Sequence, residues 1–200
     1  MKIFALIPVK DPNLGKSRLT SVLSDGQRHS LNLQLALQTI EASIACFGAE
    51  RTVIVTSSSA VGQLGAMRTT IVLEGAQPAG LNAALTTAAS HAINAGAEGL
   101  MVVPTDLPRV SAARLAAVAS ALSDAPVCVL VPDGRGRGTN VFALAPARAD
   151  LFWFGADSLQ NHAEHARSLG YEVRIHACEA LGMDIDLPAD LTAWCTSQSA

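Results

Sequence analysis

Two hundred residues, half of them hydrophobic and with a formal net charge of −3, suffice for one domain with a sizeable core. No apolar run approaches the ~20 residues of a membrane span, and no long basic tract offers a nucleic-acid surface. The 4 cysteines, Cys46, Cys128, Cys178 and Cys195, show neither Cys-x-x-Cys nor zinc-finger spacing and read as small core side chains rather than disulfide or zinc partners.

A first strand is expected over Lys2 to Val9. The apolar run reaches Pro8 and Lys10 too soon for a signal peptide and has no small-residue cleavage site, so the cytoplasm is the expected location. The loop that follows runs from Asp11 through Gly15 to Lys16-Ser17-Arg18 and is cationic at both ends. It lacks the upstream glycine of a Walker A loop and is not Gly-x-Gly-x-x-Gly, yet Lys10, Lys16 and Arg18 suit neutralisation of a triphosphate. Leu33, Leu37, Ile40 and Ile44 fall at helical spacing and predict an amphipathic helix from Gln27 to Cys46. Arg51 to Thr56 reads as a second strand, Ala60 to Met67 as a short helix and Thr69 to Leu73 as a third strand. This alternation marks an α/β sheet with crossover connections.

Glu74 to Leu81 is a Gly- and Pro-containing loop whose small residues let backbone amides approach a flat base. A helix should follow, with Leu81, Leu85, Ala88 and Ala92 buried, Asn82 in its first turn and His91 on its surface. Leu100 to Val103 is a continuous apolar run, as expected of a strand buried on both faces. Pro104 cannot donate to a ladder, so the strand stops and leaves Asp106 beyond its carboxyl end. Ligands of open α/β sheets occupy that crevice, where a carboxylate can hold a divalent cation; the competing reading is a solvated loop aspartate.

Ser111 should cap a helix running through Leu122, and Pro126 to Pro132 reads as a strand. Asp133 to Asn140 alternates Gly with Arg135 and Arg137, a flexible cationic loop suited to a lid over an anionic substrate; Asn140 to Ala145 returns as a strand. Phe154 to Ser158 leads into a helix ending near Gly170, capped by Ser158 or Asp157, whose amino end suits a carboxylate or phosphate. His162 and His165 lie three apart on it, but no third ligand supports a metal pair. After a strand over Tyr171 to Ala177, Asp184 and Asp186 alternate in an extended segment, with Pro188 in the first turn of a terminal helix. Two carboxylates on one side repel unless a cation lies between them, which with Asp106 makes the case for Mg²⁺.

The chain resembles the guanylyltransferases that activate phosphorylated three-carbon acids for the deazaflavin coenzyme. The resemblance rests on Ile7-Pro8-Val9-Lys10 with Lys16-Ser17-Arg18-Leu19, Gly80-Leu81-Asn82, Pro104-Thr105-Asp106-Leu107-Pro108, Gly138-Thr139-Asn140, Phe154-Gly155 with Ser158 and His162, and Asp184-Ile185-Asp186 before Pro188. It implies a single-domain α/β fold over residues 1–200, a three-layer, Rossmann-like, mostly parallel sheet of the nucleotide-diphospho-sugar transferase type. It also implies transfer of GMP from GTP to the phosphate of 2-phospho-L-lactate, phosphoenolpyruvate or 3-phospho-D-glycerate, with release of pyrophosphate.

The resemblance further implies that Asp106, Asp184 and Asp186 hold Mg²⁺, and that Lys16 and Arg18 offset triphosphate charge alongside Asp106 in catalysis. Pro8, Val9, Lys10, Gly80 and Asn82 would meet GTP, and Thr139, Gly155 and Ser158 the phospho-acid. A homodimer is left open. Two departures stand out: Leu187 replaces a threonine common before the proline, and Arg135 and Arg137 add cations near the acceptor. The competing readings are a nucleotidyltransferase for a molybdopterin or sugar phosphate, and a non-catalytic GTP-binding module.

Overall fold

The protein is described by a computed structural model covering residues 1–59, 61, 69–74, 80–122 and 126–198. Its strands are β1 (Ile3–Pro8), β2 (Thr52–Thr56), β3 (Thr70–Leu73), β4 (Gly99–Val102), β5 (Val127–Pro132), β6 (Thr139–Ala145) and β7 (Glu172–Ile175). They form one sheet in the order β3-β2-β1-β4-β6-β5-β7. Strand β6 runs antiparallel to both β4 and β5, and the other pairings are parallel. The mostly parallel α/β sheet expected from the sequence is therefore present. No described helix is long and apolar enough to cross a membrane.

Helices cover both faces, which is why the central strands are apolar without alternation. Phe4 and Leu6 of β1 face Leu85 and Ala88 of α2 (Leu81–Asn94), in a cluster shared with Ala163 and Ala166 of α4 (Ser158–Ser168). Ile3 and Ala5 face the opposite layer, with Ala42 and Phe47 of α1 (Asp25–Phe47) and Leu115 and Val118 of α3 (Ala112–Ser120). After a single turn, α5 (Glu179–Gly182), the terminal helix α6 (Pro188–Gln198) packs Trp194 against Leu19, Leu35 and Ile185, which ties the carboxyl end to the loop after β1.

Local signals set several boundaries. Ser24 and Gln27 form a reciprocal capping box at the start of α1, and Ser111 caps α3 by accepting from Arg114 N. The face of α1 differs from the expected one. Leu37 is 44% exposed, whereas Leu31, Leu35, Ala36, Thr39, Ala42, Ser43 and Phe47 are buried. Leucines recur at every second position from 31 to 37, so size alone admits two helical phases. The small residues at 36, 42 and 43 allow close packing and decide between them. On α2, Leu85, Ala88 and Ala92 are buried as expected, while Leu81 is 39% exposed. Apart from Val61, the helix expected over residues 60–67 lies outside the described residues.

Residues 133–138 form a hairpin turn closed by its own hydrogen bonds. Asp133 N donates to Gly138 O, Gly136 N to Asp133 O, and Arg137 N to Asp133 Oδ1, each at 2.9–3.0 Å. The antiparallel pairing of β5 with β6 forces this, because adjacent strand ends must be joined by a short turn. Arg137 then reaches Asp157 Oδ1 through Nε at 2.9 Å and Nη2 at 2.7 Å. Neither expected side chain caps α4. Asp157 occupies the N-cap position at φ 53 without a capping bond, and Ser158 Oγ accepts instead from Thr139 N.

Candidate active site

Strand order reverses at β1, with β2 on one side and β4 on the other. The crevice outside the carboxyl ends of such a pair is the usual ligand site of an open α/β sheet. Pro8, Val9 and Lys10 leave β1 there, and Pro104, Thr105 and Asp106 leave β4. A cleft of about 510 Å³ opens between them, and Lys16, Gly80 and Asp186 also line it.

The carboxylates of Asp106, Asp184 and Asp186 converge, with one oxygen of each within 4.8 Å of the others. Backbone bonds hold them in place. Ile185 N donates to Asp106 O at 3.0 Å, and Lys16 Nζ donates to Ile185 O. Asp190 Oδ2 accepts from Asp186 N at 3.0 Å and from Leu187 N at 2.7 Å. Asp106 Oδ1 is shut off from solvent and has no hydrogen-bond partner among the described residues.

Burial, with smaller contributions from Asp186 and Asp184 and opposed by Lys16, pushes the Asp106 carboxyl up to about 6. Burial, followed by Asp186 and Asp190, raises Asp184 as well, against a hydrogen bond from Asn140. A buried oxygen without a partner beside two further carboxylates suits a hard divalent cation with all-oxygen ligands, which would satisfy the orphan acceptor and remove the repulsion. Arg18 Nη1 stands 3.6 Å from Asp186 Oδ2, in a largely exposed pair that solvent screens. Lys10 is exposed on the cleft wall.

Thr139 and Ser158 meet on the far side of β6. Thr139 N donates to Ser158 Oγ at 2.9 Å, and both residues are buried. Gly155 is exposed at φ 136, a backbone conformation that favours glycine, and a side chain there would meet nothing within 4 Å. Asn82 does not line the cleft. Its amide pairs with the backbone of Phe154, donating to O at 3.1 Å and accepting from N at 2.8 Å, and so pins that loop to α2.

His162 and His165 form no metal pair. His162 is wholly buried with both ring nitrogens engaged, whereas His165 lies edge-on to Trp153 at 5.4 Å. The structure thus joins Pro8, Val9, Lys10, Lys16, Gly80, Asp106 and Asp186 around one cleft, with Asp184 beside the other two carboxylates, and brings Thr139 and Ser158 together elsewhere, with Gly155 in the loop ahead of α4. Sequence reasoning missed Asp190 and Asn140. Asp190 lay in plain view as an acidic residue in the first turn of the helix opened by Pro188, where carboxylates bond backbone amides. Asn140, which donates to Leu181 O at 2.9 Å beside Asp184, gave no comparable signal.

Known proteins match this chain across nearly its whole length. A phosphoenolpyruvate guanylyltransferase of Chloroflexus aggregans is 36% identical over 196 residues, covering 96% of this chain and 96% of its own. A 3-phospho-D-glycerate guanylyltransferase of Colwellia psychrerythraea is 28% identical over 96% of this chain and 90% of its own. Among solved structures, a chain from Desulfovibrio desulfuricans described as a nucleotide-diphospho-sugar transferase superposes with a TM-score of 0.79 at 17% identity, covering 98% of this chain and 87% of that one; this shows the shared fold. The family described as guanylyl transferase CofC like matches residues 1–195. With that match and those relatives, the chain belongs to the CofC-like guanylyl transferases and is a nucleotidyltransferase.

Proposed function

We propose that the protein moves GMP from GTP onto the phosphate of a three-carbon phospho-acid and releases pyrophosphate, in the making of the deazaflavin coenzyme. Phosphoenolpyruvate is the acceptor to which the relatives at 33–36% identity point, against 28% for a relative named for 3-phospho-D-glycerate. The observation that carries the reading is the convergence of Asp106, Asp184 and Asp186 at a cleft that Lys10 and Lys16 also line, at the sheet's switch point.

An oxygen of the acceptor phosphate attacks the α-phosphorus of GTP. The new O–P bond forms as the α–β bridging bond breaks, and pyrophosphate leaves with the electron pair. A phosphate monoester is already mostly dianionic near neutrality, its second pKa being about 6, so no strong general base is needed. The chain's contribution is positioning and charge neutralisation. Lys10, Lys16 and Arg18 offset the charge of the triphosphate, while Pro8, Val9 and Gly80 flank the nucleotide. Asp106, Asp184 and Asp186 would hold Mg²⁺, which when bound neutralises charge on the phosphates. Thr139, Gly155 and Ser158 border the acceptor, with Ser158 Oγ also receiving the Thr139 N–H.

The test is incubation with GTP, Mg²⁺ and each of the three phospho-acids, with the product identified by mass. The expected result is a guanylylated phospho-acid and one pyrophosphate per product. Pyrophosphate released only with CTP, or only with a sugar or molybdopterin phosphate as acceptor, would refute the assignment.

A further inference from the structure

A buried hydrogen-bond chain runs behind the acceptor side of the site. The ring of His162 packs against Phe142 and Phe154, with its centroid 4.7 Å from each. Nε2 receives the backbone N–H of Trp153 at 2.9 Å. A backbone amide can only donate, so Nε2 carries a lone pair and the hydrogen of the neutral ring sits on Nδ1. Nδ1 is 3.0 Å from Thr139 Oγ1, so the ring donates and the hydroxyl accepts. Burial keeps the ring neutral by pulling its pKa down to about 4, with His165 adding to the shift and the backbone of Ser158 opposing it.

The Thr139 hydroxyl has thus received one hydrogen and carries another for which the described residues supply no acceptor. Ser158 Oγ is in the same state, having accepted from Thr139 N at 2.9 Å. Two neighbouring hydroxyls with engaged oxygens and unused hydrogens complement a ligand that offers only acceptors, such as a carboxylate or phosphate. Neither residue, nor His162, lines the nucleotide cleft.

We propose that His162, protonated at Nδ1, is a positioning residue for the acceptor: it turns the Thr139 hydroxyl so that its hydrogen serves the anionic oxygens of the phospho-acid, and it takes no part in holding the nucleotide. The inference rests on the guanylyl-transfer reading above. Two variants separate the two ends of the ring. In His162→Asn the amide nitrogen can stand where Nδ1 stands and still donate to Thr139. In His162→Gln the amide oxygen can reach the Nε2 position and serve Trp153 alone.

The expected result for His162→Gln is an acceptor KM raised about tenfold or more, with the GTP KM within about twofold of wild type; His162→Asn should keep the acceptor KM within about threefold. A folded His162→Gln whose acceptor KM is unchanged, or whose two KM values rise together, overturns the proposal. Should neither variant fold, the ¹⁵N resonances of the wild-type ring decide. Hydrogen on Nδ1 near neutral pH supports the proposal, and hydrogen on Nε2 or on both nitrogens overturns it. A wild-type protein that guanylylates no three-carbon phospho-acid defeats the transfer reading instead, and the tautomer is measured without turnover.

Discussion

At the scale of single residues, a half-buried aspartate and a buried histidine are held away from their ordinary ionisation in opposite senses. Asp106, raised to about 6, binds its proton more tightly folded than unfolded. Without a cation, that contribution to stability is complete below the ordinary pKa near 3.8 and is lost as pH rises through about 6. Asp106→Asn removes an awkward buried charge, so near pH 7.5 the Tm of the metal-free variant should equal or exceed that of wild type while turnover falls by about a thousandfold or more. A collapsed melting transition with normal activity in the surviving fraction would make Asp106 structural only.

His162, lowered to about 4 by burial, runs the other way: its contribution is complete above 6.5 and is lost as pH falls through about 4. Wild type should therefore lose on the order of 3 kcal/mol relative to a folded His162→Asn between those limits, at about 1.4 kcal/mol per pK unit. Parallel denaturation curves for the two proteins across that range would contradict the assignment. Asp190 acts by holding the amides of Asp186 and Leu187. Asp190→Ala should raise the Mg²⁺ concentration at half-maximal activity roughly tenfold, because the groups that hold a metal ligand's backbone orient its carboxylate.

At the scale of elements, the face that α1 turns to the core is the informative case. Leu35 is fully buried, and Leu35→Ala should cost about 2–5 kcal/mol in urea denaturation, whereas the exposed Leu37→Ala should cost under ~0.5. Comparable losses would restore the phase read from leucine spacing. The β5–β6 turn shows how context converts composition into shape. Gly and Arg alternation suggested mobility, yet Asp133 gathers the turn and Arg137 engages Asp157. Because that ion pair is well exposed, Arg137→Ala should leave the urea denaturation midpoint close to that of wild type.

At the scale of the molecule, Trp194 of α6 and Ile185 ahead of it pack against Leu19 in the loop after β1 and Leu31 and Leu35 of α1, while Ile185 N bonds Asp106 O and so joins the two distant acidic segments. If Asp106 holds Mg²⁺ as proposed, metal and proton would compete for it. The Tm gain from a fixed Mg²⁺ concentration should grow from about pH 5 to about pH 7.5, and Asp106→Asn should abolish it. A gain that is independent of pH, or one that survives the substitution, would place the cation elsewhere.

Apolar runs, proline stops and cap residues act over a few positions, so the strands, the α/β class and the likeness to a guanylyltransferase were legible along the chain, down to Asp106 beyond β4 and the Asp184–Asp186 pair. Tertiary structure alone decided which leucines of α1 are buried, that Asn82 clamps Phe154 instead of facing the cleft, and that His162 stands behind Thr139. Each of these depends on the neighbour that packing supplies from far along the chain, and a side chain's hydrogen-bond partner or solvent exposure is a property of that neighbour as much as of its own position.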